Sequence, residues 1–132
     1  ESIILTRKFM SHKILIVEDE EHIATMYRMK FEQSGYVVDV ASDGKSAFEK
    51  AKIFQPELIL LDLILPEESG LDVLKRLKTE VTTQAIDVIV VSNLGHSDDV
   101  DEGKKLGAID YIIKAEVTPA QLVERIDKVF KK

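Results

Sequence analysis

Apolar side chains in this chain fall into two alternating rhythms. Near residues 13–18, 36–41, 57–62, 86–91 and 109–113 they come on successive or nearly successive positions, over lengths typical of strands. The first, third and fourth runs are continuous, as in strands covered on both faces, whereas Asp39 and Asp110 interrupt the second and fifth. Those two are the expected sheet edges. Between the runs, apolar residues recur at helical spacing. Five strands alternating with five helices predict an α/β fold with a mostly parallel sheet.

Helix boundaries follow from punctuation. Ile23, Met26, Tyr27 and Phe31 predict a helix over 21–34, closed by Gly35. Asp43 is expected to cap a helix carrying Ala47, Phe48 and Ala51, and Ser69 one carrying Leu71, Leu74 and Leu77. Ser97 precedes a helical stretch carrying Val100 and Leu106, with Gly107 closing it. Thr118, Pro119 and Gln121 supply an N-cap, a first-turn proline and a capping-box partner ahead of Leu122, Val123, Ile126 and Val129. No internal repeat or low-complexity stretch breaks this pattern.

Composition narrows the picture. With 132 residues, 45% of them apolar, one domain can bury a continuous core, and the absence of cysteine excludes thiol chemistry and disulfides. The apolar runs are too short to cross a bilayer, so no membrane association is expected, and a reducing cytoplasm is the expected setting. A net charge of −6 argues against direct nucleic-acid binding. Residues 1–9 precede a Met-Ser-His-Lys start, so residues 1–11 are read as an N-terminal extension or expression remnant and residues 12–132 as the domain.

In open parallel α/β sheets, ligands bind beyond the carboxyl ends of the strands. The first strand ends in Glu18 and Asp19, the third in Asp62, the fourth in Ser92 and the fifth in Lys114. A carboxylate is a competent nucleophile toward phosphorus, which makes Asp62, held at the end of a rigid strand, the candidate nucleophile. Glu18, Asp19 and Asp62 would repel one another unless a hard cation such as Mg²⁺ joined them, with Asp19 as a direct ligand. The Ser92 hydroxyl and Lys114 ammonium suit phosphoryl oxygens.

Four segments now carry a resemblance: residues 13–20 (KILIVEDE), 58–66 (LILLDLILP), 90–93 (VVSN) and 107–114 (GAIDYIIK). In order and spacing the chain, from residue 12 on, resembles a bacterial response-regulator receiver domain of two-component signalling, similar to chemotaxis regulators. The resemblance implies a flavodoxin-like (βα)₅ three-layer sandwich with strand order 2-1-3-4-5. It implies Mg²⁺-dependent phosphorylation of Asp62 by a sensor histidine kinase or phosphotransfer protein, in a self-acting switch rather than a turnover enzyme. Asp19, Asp62 and the Ile64 backbone carbonyl would bind the metal, with Glu18 reaching it through water. Ser92 would move toward the phosphoryl group, Tyr111 would swing inward, and Lys114 would pair with the phosphoryl oxygens. An output domain or a second copy would read the face of the fourth helix, fifth strand and fifth helix.

This sequence also departs from the family pattern. Ala115 follows Lys114 where the family usually has proline after a cis bond, which predicts a trans bond or a rearranged loop over 115–117. Glu18 replaces the commoner aspartate, and Asn93 replaces a small residue and is expected to narrow the entrance. Ile64 and Leu94, both apolar, stand where family side chains flank the attacking water, which predicts slow autodephosphorylation.

Taken singly, these residues have ordinary readings as well. Glu18 and Asp19 suit a helix start, Asp62 a loop entry, Ser92 a turn and Lys114 a solvated surface. The acidic pair Glu67 and Glu68, and Asp98, Asp99, Lys104 and Lys105, read as solvated faces, and the three histidines show no ligand spacing. Among rivals, an aspartate-dependent phosphatase needs a second aspartate where Ile64 stands. A flavodoxin-like cofactor binder needs a phosphate loop where residues 18–21 are acidic. A degenerate receiver acting only as an interaction module remains the alternative function.

Overall fold

The computed structural model describes residues 11–131, so residues 1–10 of the expected extension over 1–11, and Lys132, lie outside the described residues. The elements run β1 (Lys13–Val17), α1 (Glu21–Gln33), β2 (Val37–Ala41), α2 (Gly44–Phe54), β3 (Leu58–Leu61), α3 (Gly70–Thr79), β4 (Asp87–Ser92), α4 (Ser97–Lys105), β5 (Asp110–Ile113) and α5 (Pro119–Phe130). One 3₁₀ turn, Lys114–Glu116, joins the last two. All strand pairs are parallel, and the sheet order is β2-β1-β3-β4-β5. The two charge-interrupted strands are therefore its edges, as expected.

Successive residues of a strand face opposite ways, and the continuous runs of β1, β3 and β4 fill two cores. Leu15, Val17, Ile59, Leu61, Val88 and Val90 pack with Ala47, Phe48, Ala51, Val73, Leu74 and Leu77 of α2 and α3. Ile14, Ile16, Leu58, Leu60, Ile89, Val91 and Ile112 pack on the other face with Tyr27, Phe31, Leu122, Val123 and Ile126 of α1 and α5. This is the three-layer flavodoxin-like sandwich.

The caps explain where helices start. Asp43 accepts from the Ser46 N–H at 2.7 Å and Ser69 from the Leu71 N–H at 3.1 Å, while Thr118 and Gln121 form the full capping box. Gly35 and Gly107 take positive φ values of 96° and 112° after α1 and α4, where a Cβ would be strained.

α4 begins at Ser97, where extended His96 is the N-cap without a side-chain bond and Asp98 and Asp99 put negative charge on the positive helix end. Two expectations change. Met26 stands 42% exposed, because the buried stripe of α1 runs through Ala24, Tyr27 and Phe31. Glu68, expected in solvent, is partly buried against the amino end of α2, where a Cβ on Gly44 would fall 2.1 Å from its Oε1.

Candidate functional site

Register assembles the site. Val17 is aligned with Leu61, so Glu18 and Asp62 leave the sheet side by side, with the Asp62 N–H donating to the Val17 carbonyl at 3.1 Å. Ser92 is aligned with Ile113, which sets Lys114 one residue beyond. Four strand ends thus deliver Glu18, Asp62, Ser92 and Lys114 to one spot.

Asp62 is 4% exposed and fully engaged. Its Oδ1 accepts from the Ser92 hydroxyl at 2.8 Å and from the Ile64 N–H at 3.0 Å, and its Oδ2 from the Lys114 ammonium at 2.5 Å. Lys114 also donates to Glu18 Oε1, while Glu18 Oε2 accepts from the Glu20 N–H at 3.1 Å. Burial pulls the Lys114 pKa down, but the bonds and charges of Asp62 and Glu18 outweigh it and hold the ammonium above the ordinary lysine range. Burial pushes Glu18 above the usual carboxylate range, against the opposing pull of Lys114 and the Glu20 N–H.

Asp19 is exposed, next to buried Glu18. Glu18, Asp19 and Asp62 each offer a carboxylate oxygen, all within 4.8 Å of one another. Three carboxylates against one ammonium leave two negative charges uncompensated, and hard oxygen donors around that charge fit a divalent cation. Glu18 and Asp19 precede α1, whose N-cap is Glu20, so neither lies in that helix's first turn.

Tyr111, on β5, is turned inward with 8% of its surface exposed, and its hydroxyl donates to the Leu94 carbonyl. A Cβ on Gly103 of α4 would stand 3.1 Å from the Tyr111 ring, so glycine there leaves the ring its space. Burial raises the Tyr111 phenol above its ordinary value, helped by the charges of Asp99 and Asp62.

Beyond β5 there is no cis peptide bond among the described residues. The 3₁₀ turn takes its place, and Asn93 Oδ1 accepts from the Ala115 N–H at 2.9 Å. Glu18, Asp19, Asp62, Ser92 and Lys114, named from the sequence, lie together at these strand ends, but the sequence reading missed what shapes the loop after Asp62. The Gly70 N–H donates to the Leu63 carbonyl at 3.0 Å, and a Cβ on Gly70 would come within 2.3 Å of Leu63 Cα. The only sequence signal was a glycine at the start of a helix already capped by Ser69.

The family model for the response regulator receiver domain matches residues 14–127. The chain is 40% identical over 123 residues to the phosphate regulon transcriptional regulatory protein PhoB of Klebsiella pneumoniae, covering 93% of this chain and 53% of that protein. It superposes on a CheY-like receiver domain protein of Methanospirillum hungatei with a TM-score of 0.83 at 26% identity, covering 90% of this chain and 93% of that one. For the Mn(2+)-bound form of response regulator Rcp1 the TM-score is 0.76 at 27% identity, covering 89% of this chain and 92% of that one. The chain spans about half the length of the curated relatives it matches. On the family match, the order of the strands and the acidic pocket at their carboxyl ends, this chain belongs to the response regulator receiver domain family.

Proposed function

We propose that Asp62 is the phosphoacceptor of this receiver domain, taking a phosphoryl group from a phosphohistidine on a sensor histidine kinase or phosphotransfer protein. The observation that carries the reading is the convergence on one buried carboxylate of a hydroxyl, an ammonium and two further carboxylates. An Asp62 oxygen bonds to phosphorus as the phosphorus–nitrogen bond breaks, and the imidazole leaves. Asp62 attacks as a carboxylate, so no base is required. Ser92 and Lys114 then donate to the phosphoryl oxygens, where charge develops.

The acidic pocket of Glu18, Asp19 and Asp62 suits a divalent cation, which we assign as Mg²⁺; Asp19, Asp62 and the Ile64 carbonyl would hold it, and Glu18 would act through water. When bound, it supplies positive charge that offsets the carboxylates and the incoming phosphoryl oxygens. Receiver domains are phosphorylation switches, and in this one the signal passes through Ser92 and Tyr111 to the face of α4, β5 and α5, read by an output domain or a second copy. A cytoplasmic setting belongs to the same reading. Among the described residues no helix is long and apolar enough to cross a membrane.

Intact mass after incubation with Mg²⁺ and a small acyl-phosphate donor tests the proposal. A gain of one phosphoryl group is expected, and it is lost in Asp62→Asn and without metal. A gain that survives in Asp62→Asn would move the acceptor elsewhere, and a folded protein that neither gains mass nor binds Mg²⁺ would be a contact module.

A further inference from the structure

The turn that carries Lys114 is held from outside its own strand. β5 ends at Ile113, and the residue entering the 3₁₀ turn supplies no side-chain cap. Inside the turn the Val117 N–H reaches the Lys114 carbonyl at 3.3 Å, a long bond that restrains little. The Ala115 N–H is instead taken by Asn93 Oδ1 at 2.9 Å. Asn93 directly follows Ser92, the β4 residue aligned with Ile113. The side chain therefore adds one more rung to the β4–β5 pairing beyond the end of the sheet, one residue past Lys114. It needs an N–H at 115, which alanine has and proline lacks.

Building on the phosphoacceptor reading, we infer that Asn93 is a positioning residue for phosphoryl transfer, fixing the backbone under Lys114 through the Ala115 N–H. Lys114 must reach two buried carboxylates with a long, rotatable side chain, so its aim depends on where its backbone is held. Among the described residues Asn93 makes no hydrogen bond to either carboxylate, and its side-chain oxygen is directed at the turn.

Two measurements on the intact chain test this. Amide hydrogen exchange of Asn93→Ala is expected to speed about tenfold at Ala115, with the β5 amides unchanged, whereas Asn93→Asp keeps the acceptor oxygen and restores protection. Phosphorylation by a small acyl-phosphate donor at saturating Mg²⁺ is expected to slow in Asn93→Ala by about three- to tenfold in its saturating rate, with the half-saturating donor concentration and the Mg²⁺ affinity unchanged. A faster rate, as a side chain that merely narrows the entrance would give, overturns the inference, as does unchanged exchange or an unchanged rate. Wild-type protein that takes no Asp62-dependent phosphoryl group overturns the phosphoacceptor reading itself, and the inference with it.

Discussion

Glu18 and Lys114, 96 residues apart in the chain, are hydrogen-bonded at the carboxyl end of the sheet, and Asp62 takes the same ammonium at 2.5 Å. One partly buried cation thus serves two buried carboxylates. Removing it leaves both without a counter-charge in a poorly solvated place. Lys114→Met should destabilise the metal-free protein by about 3 kcal/mol, the usual cost of breaking a buried pair. A divalent cation supplies the missing charge, so Mg²⁺ should raise the melting temperature of Lys114→Met more than that of wild type. Thermal unfolding with and without Mg²⁺ measures both, and an equal rise in the two proteins would mean that Lys114 and the metal answer to different charges.

Gly70 closes the loop that follows Asp62 by bringing its backbone against Leu63. Gly70→Ala has to push that backbone aside, at a cost of about 2 kcal/mol. Because the displaced segment adjoins Asp62 and Ile64, Mg²⁺ affinity should fall as well. Urea unfolding and a metal titration check the two effects, and a loss of stability with full metal affinity would confine the damage to packing.

Tyr36 predicts a pH dependence far from the site. Its hydroxyl donates to Asp127 Oδ1 at 2.6 Å, and burial, then this bond and the Asp127 charge, push the phenol well above its ordinary value. Below about pH 10 the phenol is neutral in both folded and unfolded chains. As pH climbs past that, only the unfolded chain releases its proton, so stability falls. Tyr36→Phe should cost about 1 kcal/mol at neutral pH, and the gap to wild type should shrink steadily above pH 10. Urea unfolding of both proteins across pH 8 to 11 reads the difference; a constant gap would contradict it.

Ile64 is 52% exposed beside Asp62, and Leu94 is partly buried against the core. Neither side chain can orient a water at an acyl phosphate on Asp62. The phosphoryl group should therefore persist well beyond seconds, and Ile64→Asn should shorten its lifetime on the order of tenfold by giving water a partner. Mass spectrometry after rapid removal of the donor follows the decay.

The chain's own pattern determined much of this protein. Continuous apolar runs marked the strands covered on both faces, Asp39 and Asp110 marked the edges, and Asp43, Ser69 and Thr118 started their helices, because burial and capping are local demands that residue type satisfies. Motif order brought Glu18, Asp19, Asp62, Ser92 and Lys114 into one hypothesis. Tertiary structure alone decided their contacts: that Glu18 meets Lys114, that the Tyr111 hydroxyl meets the Leu94 carbonyl, that Gly70 must lack a side chain, and that Asn93 accepts from the Ala115 N–H. Each of these depends on distances between segments distant in sequence, set by strand register and helix packing, and no local preference of the residues involved encodes those distances.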